Sequence, residues 1–175
     1  MNKKYVKDYV ADETVYGGYR YTGIYYVDSI NDDQRKKLGM THLLIGVLQM
    51  ILVLLAASIN CIGNRTIYVV IPMECTLVCA LNLCLGAYTF LKSSNRMERK
   101  DYEGSYLKMV QSVTIAFFLN VGSIVGQISL IVRGMHYAGM GYEYLLLVAL
   151  LVMAVINGIE WKWQRVHIAR VTQEK

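Results

Sequence analysis

MVQSVTIAFFLNVGSIVGQISLIV, residues 109–132, decides how the whole chain is read. It holds no charged residue in 24 positions, and at about 1.5 Å per residue such a helix crosses roughly 30 Å of hydrocarbon. It is not uniformly apolar, however. Ser112, Ala116, Asn120, Ser123 and Gln127 recur at spacings of four, four, three and four, which draws one small and polar stripe along a helix. Gly122-Ser123-Ile124-Val125-Gly126 adds a G-x-x-x-G face beside it, and Gly122 and Gly126 are expected to let a neighbouring backbone approach closely. The segment predicts a membrane-spanning helix that is the most interior member of a bundle.

Three further blocks, 38–60, 67–91 and 142–160, have comparable length and character. With 109–132 they make up about half of the 175 residues, in a chain that is 55% hydrophobic and 18% charged. The fold class expected is therefore an all-α integral membrane protein with four transmembrane helices. Blocks long enough to cross the membrane exclude a soluble enzyme or a nucleic-acid-binding domain, and the basic residues behind the net charge of +5 flank those blocks, as membrane orientation requires. Sixteen of the eighteen Lys and Arg residues fall in segments 1–37, 92–108 and 161–175, and two in 61–66 and 133–141. Lys and Arg accumulate on the cytoplasmic side, so both termini are expected there, in the cell membrane. The short connections 61–66 and 133–141 imply two antiparallel hairpins. Trp161 and Trp163 end the fourth block at the inner interface, which suits the indole ring.

The domain map that follows is a Tyr-rich cytoplasmic segment at 1–37, a transmembrane domain at 38–160 and a cytoplasmic tail at 161–175. Asn31-Asp32-Asp33-Gln34 reads as an N-cap with Gln three residues later, followed by Arg35-Lys36-Lys37 at the headgroups. One helix is expected from about Asp32 to Asn60. Seven of the fourteen tyrosines lie in the first 26 positions, and residues 14–22 place β-formers on both sides of Gly17-Gly18. That pattern predicts a small β-hairpin, which must lean on loop 92–108, the membrane surface or a partner, since an isolated hairpin is marginal in water. The competing reading is a disordered tail.

Inside the spans, Gln49, Asn82 and Asn120 lie at matching depth and are expected to form one midplane cluster. His42, Gly46 and Gln49 offer a compatible face on the first helix. Interhelical bonding is preferred over a polar substrate path for these amides, because no carboxylate stands near them in sequence. Glu74 is the one carboxylate expected to fall within a span. If the second helix begins at Pro72, a favoured first position, Glu74 stabilises its N-terminus at the headgroups, and this is the preferred reading. If the helix begins at Ile67, Glu74 lies about 10 Å inside, where Gln127 or Arg133 could partner it.

Other chemistry finds no pattern. Cys75 and Cys79 have three residues between them rather than two, so the redox C-x-x-C motif is absent, and buried thiols are expected. No metal-ligand spacing, cofactor motif or catalytic constellation appears, so neither cofactor nor metal is expected. Lys3-Lys4-Tyr5-Val6-Lys7-Asp8-Tyr9, Tyr21-Thr22-Gly23-Ile24-Tyr25-Tyr26 and Tyr68-Val69-Val70-Ile71-Pro72, on this layout, resemble uncharacterised four-helix integral membrane proteins of anaerobic Gram-positive bacteria. The resemblance brings no activity. The chain is read as a non-enzymatic accessory or scaffold protein that contacts a membrane-protein partner, or another copy of itself, through its N-terminal segment and basic loop 92–108. The alternative is a small oligomeric transporter or channel with Glu74 as coupling carboxylate. An enzyme of lipid or thiol chemistry ranks third.

Overall fold

A computed structural model of the protein describes residues 3–12, 18–133, 140–168 and 171–174. Four long helices dominate it: α1 Asp32–Ala57, α2 Ile67–Lys92, α3 Arg99–Val132 and α4 Met140–Ile168. All four are long and apolar enough to cross a membrane. Five short strands, β1 Tyr9–Asp12, β2 Gly18–Tyr21, β3 Tyr25–Asp28, β4 Arg96–Met97 and β5 Val171–Glu174, and two 3-10 turns, Lys3–Asp8 and Gly63–Arg65, accompany them.

The helices start and stop where local chemistry allows. Asn31 is the N-cap of α1, with Asp32 and Asp33 in the first turn, although its side chain makes no capping bond. Helix α2 is capped by Thr66 and begins five residues before Pro72, which corrects the expectation of a start at the proline. The first turn forms without it, since the Val69 and Val70 N–H groups both donate to Thr66 O at 3.0 Å. A proline this near a helix start costs one backbone hydrogen bond rather than the helix. Helix α3 begins ten residues before its apolar block and contains a π-helical turn, Glu103–Leu107. That wide turn places the consecutive residues Ser105 and Tyr106 both inside.

Each helix buries a stripe of seven-residue period. The inward positions are Arg35, Gly39, His42, Gly46, Gln49, Val53 and Ala56 on α1, and Val69, Met73, Thr76, Ala80, Leu83, Ala87 and Phe90 on α2. Met109, Val113, Ala116, Asn120, Ser123, Gln127 and Leu130 follow on α3, with Glu143, Leu146, Leu150, Met153, Asn157, Glu160 and Gln164 on α4. Alternating steps of three and four are the signature of knobs-into-holes packing in left-handed bundles. Helix α2 lies against both α1 and α3, α3 lies against α4, and the contact of α1 with α4 is slight. Glycine makes the α1–α2 approach possible. A Cβ at Gly46 would stand 2.5 Å from Cys84 Sγ and 3.4 Å from Ala80 O, and one at Gly39 would stand 2.6 Å from Leu91.

The start of α1, the end of α2, the start of α3 and the end of α4 share one end of the bundle, where a three-stranded antiparallel sheet in the order β4-β3-β5 joins them. Tyr26 pairs with Met97 on one side and with Gln173 on the other. Two buried charged residues fix the sheet to the helices. Arg35 donates to Asn95 Oδ1 at 2.8 Å, Ser93 Oγ at 2.6 Å and Phe90 O at 3.1 Å, with its guanidinium over the Phe90 ring. Asp28 accepts from the Tyr106 hydroxyl and from Ile30 N–H. Tyr26 stacks on Tyr102 with ring centroids 4.0 Å apart.

Strands β1 and β2 form the N-terminal hairpin, with Tyr9 opposite Tyr21 and Asp12 opposite Gly18. Gly18 is therefore a strand residue, not half of a Gly17-Gly18 turn, and residues 13–17 lie outside the described set. The N-terminal segment leans on the end of the α2–α3 connection and on the first turns of α3. The Tyr9 hydroxyl donates to Glu98, Tyr5 donates to Glu103 Oε2 at 3.0 Å, and Arg99 N–H donates to the Tyr21 hydroxyl at 3.1 Å. The Glu98 bond, aided by desolvation, pushes the Tyr9 phenol above its ordinary 10.

The two glycines of the G-x-x-x-G face part company. Gly126 is buried, and a Cβ there would stand 2.9 Å from the Tyr68 ring and 3.2 Å from Tyr68 O. Gly122 is exposed, and a Cβ there would meet nothing within 4 Å. Gly126→Leu should therefore destabilise the bundle by about 1–3 kcal/mol through overpacking, and Gly122→Leu should leave it unchanged. Thermal unfolding of both variants in detergent checks the contrast. A second expectation concerns pH. A phenol held protonated by its carboxylate partner stabilises the fold below its unfolded pKa of about 10 and loses that contribution as pH rises further. Proteolysis of the hairpin should accelerate above pH 10 in the native chain, and the Tyr9→Phe variant should lack that dependence.

Candidate functional site

The interior of the bundle carries polar side chains at three levels, and each level follows from the seven-residue stripes. Nearest the sheet, His42 of α1 meets Glu160 of α4 in a hydrogen-bonded pair, and Gln164 Nε2, one turn further along α4, donates to the same Glu160 Oε1 at 2.8 Å. All three residues are at most 2% exposed. Trp163 packs beside the imidazole. A water-sized cavity lined by Leu38, His42, Phe90, Tyr106 and Gln164 adjoins the pair.

The middle level holds Gln49, Thr76, Asn120 and Asn157, all buried. Thr76 donates to Asn120 Oδ1 at 3.3 Å and to Pro72 O at 3.1 Å, and Gln49 Nε2 reaches Met153 O at 3.5 Å. A second water-sized cavity is bounded by Gln49, Thr76, Ser112 and Asn157. Gln49 Oε1 and Asn157 Nδ2 have no partner among the described residues, and the cavity, walled mainly by apolar atoms, has room for about one water.

At the end opposite the sheet, Glu143 of α4 folds over the connection between α1 and α2. Its Oε1 accepts the Ile62 N–H at 2.7 Å, and its Oε2 accepts Gln127 Nε2 at 2.6 Å and the Gly63 N–H at 3.2 Å. Gln127 also donates to Glu143 O at 3.1 Å. A Cβ at Gly63 would crowd the ends of the Gln127 and Glu143 side chains and shift the bond between them.

The expected site residues redistribute accordingly. Gln127 is buried, but its partner is Glu143 rather than Glu74. Glu74 is exposed on the outer side of α2, eighth in the helix, so it neither caps α2 nor faces the interior. Arg133, also exposed, ends α3. The set Glu74, Gln127 and Arg133 is thus not assembled. Gln49 and Asn120 are both buried but do not bond each other, and Asn82 is half-buried and makes no side-chain hydrogen bond among the described residues. Asn82 misses the cluster because Leu83 occupies the inward position next to it. The thiols also divide, with Cys61 buried, Cys79 and Cys84 half-buried and Cys75 exposed.

Glu143 and Glu160 went unnoticed in the sequence because each stands at a margin of block 142–160, where a carboxylate reads as a headgroup residue. The signal was present as a strict alternation of three and four from Glu143 to Gln164 that includes both acids and Asn157. Among the described residues, no three His, Cys, Asp or Glu side chains gather as metal ligands would.

Fold and interior together define a four-helix bundle with a polar axis capped at one end by a small sheet. No family model matches the chain, and no curated protein or solved structure matches it either. The axis itself predicts which losses matter. Glu143→Ala orphans two backbone N–H groups and a buried amide, and should cost about 2–5 kcal/mol, whereas Glu143→Gln keeps an acceptor and should cost less than half of that. Chemical denaturation of the three proteins in one detergent measures the difference.

Proposed function

We propose that the protein is a multi-pass protein of the bacterial cell membrane, with its helices as two antiparallel hairpins and both termini in the cytoplasm. The basic asymmetry of the loops supports that placement. In this reading it is a non-enzymatic accessory or scaffold subunit that offers a folded cytoplasmic platform to a membrane-associated partner. The observation that carries the reading is the sheet end. Three segments far apart in sequence, β3, β4 and β5, are drawn into one sheet and fixed by buried Arg35 and Asp28. The hairpin docked beside them leaves Val10 and Tyr19 more than half exposed. Such order built around an exposed apolar edge suits recognition by a partner.

A second reading, transport, is favoured by one observation, the placing of Glu143 and Glu160 on the interior axis. Intramembrane carboxylates with a histidine partner are the groups that proton-coupled proteins use. Glu74, being exposed, is not the interior coupling group in either reading.

The two separate by experiment. Crosslinking in native membranes should join a second protein to the full chain but not to a variant lacking residues 1–22, and proteoliposomes of the pure protein should show no proton flux above empty vesicles. Flux that disappears in Glu160→Gln, together with crosslinking indifferent to the hairpin, would replace the scaffold by the transporter.

A further inference from the structure

The outer face of α2 carries a carboxyl where the membrane reading leaves it no solvent. Thr76 is hydrogen-bonded to Asn120, which stands halfway along the apolar block 109–132, and Glu74 precedes Thr76 by two residues, so it lies within about 3 Å of that level. Around it the exposed residues are Ile71, Val78 and Leu81, and no side chain of the described residues donates to it. In hydrocarbon a carboxyl is costly unless it is hydrogen-bonded to a partner. We infer that the Glu74 face of α2 is the interface with a second copy of this chain, the two Glu74 carboxyls meeting across a two-fold axis along the membrane normal. This rests on the membrane placement proposed above and identifies the partner of that helix.

The occupant follows from chemistry and symmetry. A two-fold axis along the normal brings every residue of one copy to the depth of the same residue in the other. A carboxyl pair sharing protons supplies its own donors and acceptors, so Glu74 is complementary to itself. The rest of the face matches such a contact. Ile71, Val78, Leu81 and Leu85 are each about half exposed and recur, with Glu74, at steps of three and four, the spacing a second helix reads. Cys75 is exposed next to Glu74 and gives the interface a native reporter.

The test is oxidative crosslinking with copper phenanthroline of the full chain in carbonate-washed membranes. Retention after the carbonate wash bears on the membrane placement, and crosslinking bears on the interface, so the two fail separately. A disulfide-linked dimer is expected that persists in Cys79→Ser and is lost in Cys75→Ser. In detergent, Glu74→Leu should weaken self-association about three- to tenfold while Glu74→Gln, whose amide also pairs with itself, retains it. A chain that resists carbonate but gives no dimer through Cys75, nor through Ile71→Cys and Val78→Cys, overturns the inference. A crosslinked product of mass other than twice the chain would overturn it as well, by assigning the face to a different protein.

Discussion

Seven-residue stripes are the constraint from which the rest of this structure follows. Each long helix turns one narrow seam inward, and the seams gather His42, Gln49, Asn120, Gln127, Glu143, Asn157, Glu160 and Gln164. Once inside, a polar group must find its partner across the bundle, because a buried donor or acceptor left unpaired costs about 1–3 kcal/mol. The pairs His42–Glu160, Thr76–Asn120 and Gln127–Glu143 therefore do more than fill space: each fixes the height of one helix against another. A bundle held by leucines alone would tolerate a slip by one turn, whereas here such a slip would break all three pairs together.

The same logic explains why the two ends differ. At one end Glu143 binds the backbone of the Ile62–Gly63 connection, which makes that loop a closed part of the bundle. At the other, Arg35 and Asp28 carry polarity outward from the seam into a sheet built from three distant segments. The Arg35 fork suits this task because it satisfies a carbonyl, a hydroxyl and an amide oxygen at once, which the single ammonium of lysine does less well.

Much of the helical framework was legible from the sequence, since four long apolar blocks leave few alternatives. The interior face of α3 could be read because Asn120, Ser123 and Gln127 stand out against an apolar background. Other features were not legible for identifiable reasons. The start of α2 was misplaced because proline at the sixth helical position resembles proline at the first. Gly122 and Gly126 look alike in a motif, yet Gly122 opens onto the outer face while Gly126 lies against Tyr68. The three-stranded sheet could not be foreseen, since β4 has only two residues and β5 lies in a polar tail, and their pairing with β3 is entirely long-range. Glu143 and Glu160 stand at the two margins of block 142–160, where a carboxylate looks like a headgroup residue.

The account depends most on the proposed membrane placement, in which the polar axis runs between the two faces of a bilayer and the sheet lies in the cytoplasm. Its most direct test is a set of reporter fusions after Asn64, after Arg133 and after Lys175, each made with one reporter active only in the cytoplasm and one active only outside. The account predicts external activity for the first two and cytoplasmic activity for the third. A cytoplasmic signal after Asn64 or Arg133, or an external one after Lys175, would contradict it.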